Sequence, residues 1–270
     1  MSHTVRHPTR DTVLAVAAHP DDVDFYAGGT IAKWAAGGSD VVLCVITDGD
    51  AGSVAPGEPR HELPARRRSE QIAAARTLGV RDVRFLNDLY LDDLFLDDLG
   101  ATGDGTTSEA GRPYRDGRLT VSTALRRDLT RVIRQVRPGR VVLHSPSRGW
   151  DALAPYHPDH LAAGEAALCA VYPDAENPYE HPELLVEEGL PPWQVDEVWL
   201  MAHPDPDRTV DVTEFTPVKI AALRQHASQS DSFGDELVHA ELVAQAEAGG
   251  LAPTRLAERF RVIRRRLPPI

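Results

Sequence analysis

The sequence predicts an α/β fold: a doubly wound, mostly parallel sheet with helices on both faces, built as a single domain. Three observations predict it. Short apolar runs alternate with longer amphipathic segments along the first half of the chain. The runs are apolar almost without interruption, as strands buried on both faces must be, whereas half-exposed strands alternate. Each run gives way to a polar segment carrying Asp or His, at the end of the strand where sheets of this kind hold their ligands.

The elements follow in order. "TVLAVAA" (residues 12–18) predicts the first buried strand, and "FYAGGTIAKWAAGG" the helix after it, stopped by Gly37 and Gly38. "DVVLCVIT" (40–47) predicts a second strand. A polar loop from 48 to about 64 leads into "ARRRSEQIAAARTLG", an amphipathic helix ending at Gly79. "DVRFL" is the third strand, "STALRRDLTRVIRQVRPG" a helix and "RVVLHSP" the fourth strand, while the glycine-rich, aperiodic stretch 100–119 reads as a loop. "HLAAGEAALCAVY" predicts another helix. A Pro- and Glu-rich passage (173–192) then caps or connects, and "VDEVWLMA" (195–202) is a fifth strand. Beyond it, "PVKIAALRQHASQ" and "DELVHAELVAQAEAG" read as helices. The expected organisation is a Rossmann-like core over residues 12–172 with a C-terminal segment, 173–270, packed on it.

Composition narrows the function classes. The 41 Asp and Glu against 29 Lys and Arg give a formal charge of -12, the wrong sign for condensing on phosphate backbones or anionic lipid. Nucleic acid and membranes are therefore not expected partners. The basic runs at Arg66–Arg68 and "RVIRRRLPPI" read as a solvated helix face and a tail. Cys44 and Cys169 lie in apolar stretches, where a free thiol behaves as a small hydrophobe, so neither a disulfide nor a cysteine metal site is expected. With no signal-peptide pattern and no run near the roughly 18 apolar residues of a membrane span, the expectation is a cytoplasmic protein. Whether it forms a homo-oligomer is open.

Two segments combine His and Asp: "HPDD" at 19–22 and "YHPDH" at 156–160. Taken singly, each fits a turn in which Asp caps a helix. Together in one α/β domain, beside a buried strand and an apolar helix, they favour a metal site. His19 and Asp22, three apart where a strand enters a helix, can face a common centre, and His160 supplies a distant third ligand, as in hydrolytic zinc sites that leave one position for water. Asp21, between the close pair, is placed to accept that water's proton. His157 could donate a proton to a leaving amine or stabilise an oxyanion, with Asp159 holding its ring. Two adjacent carboxylates thus have separate tasks, one on the metal and one on the proton.

"AHPDD" after the first strand, "GGTIAKW" in the next helix, "TDGDAG" after the second strand, the Arg-x-x-Glu pair of "RRSEQIAAARTLGV" and "HPDH" before a later helix together resemble the PIG-L / LmbE-like family of zinc-dependent N-acetylglucosaminyl deacetylases. The tail "DVTEFTPVKIAALRQHASQ" is similar to the family's as well. The resemblance implies that His19, Asp22 and His160 bind zinc, with Fe2+ or another divalent ion as alternatives. It implies Asp21 as general base and His157 as general acid or oxyanion stabiliser with Asp159 behind it. It further implies that Arg67 holds sugar hydroxyls or a neighbouring anionic group, and that Asp92 lies near an acidic sugar-binding position, where Asp88 and Asp93 are not separable from it. The chain departs from the family at Val23, where many members have Glu, with Asp24 next, and at Pro155, where some have Tyr, with Tyr156 displaced by one.

The expected substrate is an N-acetylated amino-sugar conjugate. An amidase on a thiol-sugar conjugate would use the same chemistry. "HPD" with a distant His also fits the two-His-one-carboxylate triad of iron oxygenases, but the alternation of strand and helix argues against their antiparallel scaffolds. A non-catalytic nucleotide-binding module is disfavoured, because the first turn lacks G-x-G-x-x-G and presents acid to a phosphate. His144, at the end of the fourth strand, is expected as a support or core residue, and His226 as a packed helix histidine.

Overall fold

The structure is a computed structural model describing residues 11–52, 61–90, 113–150, 152–232 and 234–264. Five parallel strands, β1 (Thr12–Ala17), β2 (Asp40–Val45), β3 (Asp82–Phe85), β4 (Arg140–His144) and β5 (Glu197–Met201), form the sheet body. With β6 (Arg208–Asp211) and β7 (Ala257–Arg264) the order is β3-β2-β1-β4-β5-β7-β6. The winding reverses between β1 and β4, so the cleft beyond their C-terminal ends is the expected ligand site. β1 ends two residues before His19, and β4 ends on His144.

Alternation along β1 sends side chains to two cores. Leu14 and Val16 pack on one face with α3 (Thr123–Val136) and α4 (Pro158–Cys169). Val13, Ala15 and Ala17 pack on the other with α1 (Asp22–Ala36), α2 (Leu63–Thr77) and α6 (Thr216–Leu223). Both faces being covered explains why these strands read as unbroken apolar runs. The helix boundaries have local causes. Asp22 and Asp24 sit in the first turn of α1, where the helix dipole favours negative charge. Ser122 caps α3 by accepting from the Leu125 N–H at 3.1 Å. A proline opens both α2 and α4.

The C-terminal segment departs from expectation. Its helices α6 and α7 (Asp235–Ala248) are present, but 208–211 and 257–264 are strands, with β7 antiparallel to β5 and β6 antiparallel to β7. The basic run read as a tail is thus a sheet strand as far as Arg264. A short helix, α5 (Pro182–Val186), lies in the Pro- and Glu-rich passage.

β7 also reaches into the first helix. Glu258 accepts from the N–H groups of Gly29 and Thr30 at 2.9 and 2.7 Å, and Lys219 of α6 pairs with it at 2.7 Å. A Cβ at Gly29 would lie 2.8 Å from Val212 Cβ, so glycine is what lets Val212 pack against this turn of α1. Removing one partner of such a buried pair costs about 3–5 kcal/mol.

Candidate active site

The first His-Asp segment is a tight turn. Asp21 adopts a left-handed backbone with φ of 96°, a conformation that costs a non-glycine residue about 1–2 kcal/mol. The turn is closed by the His19 N–H donating to Asp22 Oδ2 at 2.8 Å. Asp21 is clamped at both ends: its N–H donates to Gln71 Oε1 at 2.7 Å, and its carboxylate accepts from Arg67 Nη2 at 2.7 Å. Gln71 Nε2 in turn donates to Asp24 Oδ2 at 2.7 Å, and the His226 ring lies 3.1 Å from the same oxygen.

Arg67 is buried, and its guanidinium also donates to the carbonyls of Pro20 and Gly49 at 2.7 and 3.1 Å. A Cβ at Gly49 or Gly52 would fall within 2.3 or 2.0 Å of Arg67 Nη1, so the glycines of "TDGDAG" make room for this side chain. The guanidinium thus meets Asp21 and two carbonyls through its two terminal nitrogens, while its Nε has no hydrogen-bond partner among the described residues. Asp92, with Asp93, lies outside the described residues. Asp88 is exposed and pairs with Arg68.

The second segment opens α4. His160 Nδ1 lies 3.2 Å from the Pro155 carbonyl, which makes Nδ1 the protonated nitrogen and frees Nε2, 3.0 Å from Asp22 Oδ1. Pro155, conspicuous in the sequence where some relatives have a tyrosine, orients the His160 ring through its backbone. His144 places Nε2 3.0 Å from Asp22 Oδ2 and stacks on His160 with centroids 4.2 Å apart. His157 caps α4: its Nδ1 accepts the Asp159 N–H at 3.3 Å. Asp159 does not support the His157 ring as expected. Its carboxylate instead meets His19 Nε2 at 3.0 Å and accepts from the N–H groups of Gly117 and Leu119 at 2.7 and 3.1 Å. The physical reason is the helix start, which points the Asp159 backbone, not its side chain, at His157.

The three expected ligands are neighbours, although no one cluster of possible donor atoms among the described residues holds all three. Asp22 bridges the two imidazoles, 3.5 Å from His19 Nδ1 and 3.0 Å from His160 Nε2. Donor atoms of His19, His157 and His160 lie within 4.8 Å of one another, as do those of Asp22, His144 and His160 and those of His19, Asp116 and Asp159. A set of imidazole nitrogens and carboxylate oxygens, without thiolate, fits zinc and its first-row neighbours. Asp116 is a residue the sequence did not single out. It lies 3.2 Å from His19 Nε2 and is held by accepting the Ala51 N–H at 3.2 Å and donating its own N–H to Asp50 at 3.0 Å.

Electrostatics divide the site. Burial pushes the Asp21 carboxyl up to about 6, although Arg67 opposes it. Burial would raise Asp22 too, but His160, His144 and His19 outweigh it and hold that carboxyl well below the usual range. Burial would lower His19 and His160, yet the carboxylates around them, Asp22 foremost, raise both. His157 moves the other way: burial and then the His19 charge lower it, so its imidazole is neutral at pH 7. Because Nδ1 accepts a backbone N–H, the one proton of that neutral ring sits on Nε2.

Fold and site together define a candidate metal-dependent hydrolase, with its imidazoles and carboxylates at the switch point of a mostly parallel sheet. The chain belongs to the PIG-L family: the family model described as "GlcNAc-PI de-N-acetylase" matches residues 14–171. It is 30% identical over 227 residues to the diacetylchitobiose deacetylase of Thermococcus kodakarensis, covering 83% of this chain and 73% of that protein. It is 31% identical over 250 residues to the 1D-myo-inositol 2-acetamido-2-deoxy-alpha-D-glucopyranoside deacetylase of Rhodococcus erythropolis, covering 80% of each. Among solved structures, N,N'-diacetylchitobiose deacetylase from Pyrococcus horikoshii, complexed with its inhibitor MPG, superposes with a TM-score of 0.76 at 28% identity, covering 95% of this chain and 85% of that one. No helix among the described residues is long and apolar enough to cross a membrane.

Proposed function

We propose that this protein removes the acetyl group from the 2-acetamido group of an N-acetylglucosamine-type conjugate, with zinc held by His19, Asp22 and His160. The observation that carries this reading is the placement of two carboxylates from one turn. Asp22 is drawn between the imidazoles of two ligands, while its neighbour Asp21 is kept apart by Arg67 and retains a raised proton affinity. Zinc, when bound, supplies a water of lowered pKa and polarises the acetamide carbonyl. Asp21 accepts the proton of the attacking water, a role for which a carboxyl near 6 is well matched at neutral pH. The neutral His157, with its proton on Nε2, donates a hydrogen bond to the developing oxyanion. His157 thus serves as the oxyanion donor, and Asp21 passes its proton on to the departing amine.

The substrate class rests on the relatives, whose names specify a diacetylated chitobiose and an acetamido-glucoside of inositol. The free state of both Cys44 and Cys169 suits a cytoplasmic setting. Acetate release by the zinc-loaded protein, measured on a panel of N-acetylglucosamine conjugates that includes inositol and chitobiose members, tests the reading. Turnover of at least one member is the expected result. Zinc bound with no acetate from any member, together with release of a longer acyl group or of no acid at all, would overturn it.

A further inference from the structure

Behind the site lies a buried chain of side chains that no step above uses. His226, in the turn after α6, places Nε2 3.1 Å from Asp24 Oδ2 in α1. Gln71 of α2 donates to the same oxygen at 2.7 Å and accepts the Asp21 N–H at 2.7 Å. Asp24, Gln71 and His226 are all buried. Each end of the Gln71 amide is dictated by its neighbour, because a carboxylate can only accept and a backbone N–H can only donate. A flipped amide would oppose two acceptors on one side and two donors on the other. His226 fills the other approach to Asp24 Oδ2, so three separate elements of the fold fix one amide. That amide accepts the main-chain N–H of Asp21, a residue in a left-handed conformation.

We propose that Gln71 is a positioning residue for the general base: its amide, oriented by Asp24 and His226, holds Asp21 in the backbone conformation from which its carboxylate meets Arg67. The chain His226–Asp24–Gln71 thereby makes the C-terminal segment part of the catalytic apparatus without touching substrate. The inference rests on Asp21 acting as the base.

Gln71→Glu replaces the donor facing Asp24 with a second carboxylate. Its kcat for acetate release is expected to fall roughly ten- to a hundredfold, the scale on which small misplacements of a reacting group act. KM and the zinc content stay unchanged, and amide hydrogen exchange over residues 19–25 becomes faster. Should that variant not fold, the His226 pair carries the test. His226→Gln keeps an N–H donor for Asp24 and retains most of the turnover, whereas His226→Leu loses it at constant zinc content. A Gln71→Glu protein with kcat within twofold of the parent, zinc lost in step with kcat, unchanged exchange at 19–25, or equal turnover in the two His226 variants would each overturn the proposal. A parent protein that releases no acetate, but whose residues 19–25 loosen in Gln71→Glu, would overturn the deacetylase reading and leave the positioning role standing.

Discussion

His19-Pro20-Asp21-Asp22 and His157-Pro158-Asp159-His160 share three residue types in the same order and each open a helix, yet the fold uses them differently. In the first, the His turns its ring toward the acids, the middle Asp is strained and clamped by Arg67, and the last Asp sits between two imidazoles. In the second, the His is spent as a helix cap, and the middle Asp turns away to hold His19 and the 117–119 backbone. The first turn therefore concentrates charge, and the second leaves a neutral, half-buried imidazole. A shared motif indicates where chemistry lies. Which proton each residue carries is decided by what the neighbouring elements press against it.

The comparison can be broken at either turn. The largest effect is expected from His160→Ala, which removes a proposed ligand from the second turn and leaves Asp22 Oδ1 without its 3.0 Å partner. Metal analysis should show zinc lost and turnover at background, and a fully loaded, active variant would refute the ligand set. His157→Ala should keep zinc and lower kcat by about 10²–10³. His157→Gln, which retains a donor where Nε2–H stands, should recover part of that loss; equal losses in the two would mean that His157 acts other than as a neutral donor. Arg67→Met leaves the Asp21 carboxylate buried without its cation, at a cost of about 3–5 kcal/mol in unfolding free energy. A variant as stable as the parent in denaturant titration would show that the pair is not the clamp described.

The smallest effect is on pH dependence. Asp21 must be ionised to accept a proton, so kcat/KM should fall as pH drops and the carboxyl is protonated, and level off above. Burial raises that carboxyl to about 6, so the limb should lie in the neutral to mildly acidic range, and a kcat/KM that does not fall toward acid pH would contradict the assignment.

The parallel core and the first His-Asp turn were legible because both are local: five apolar runs of strand length, and His and Asp three apart at the end of one of them. β6 and β7 were not, since "RTVD" is too short to show a period and "AERFRVIR" reads equally as a basic tail. What makes β7 a strand is pairing with β5, together with Glu258 docking on α1, and both are tertiary. Asp116 was hidden for a similar reason. It stands in an aperiodic stretch and reaches His19 only because Asp50 and Ala51, far away in sequence, hold its backbone and carboxylate. Arg67 was picked out by its motif, but the motif could not say which anion it meets. The roles of Gln71 and His226 had a signal in the strings "RSEQ" and "RQHASQ", and their partnership with Asp24 required three elements to be assembled.

The central claim is that adjacent carboxylates divide the work, Asp22 on the metal and Asp21 on the proton. Zinc content and acetate turnover of Asp21→Asn, measured side by side with the parent, test it most directly. The expected result is full zinc occupancy with kcat reduced by about 10²–10⁴. Zinc lost in proportion to activity, or a variant that turns over at the parental rate, would contradict it.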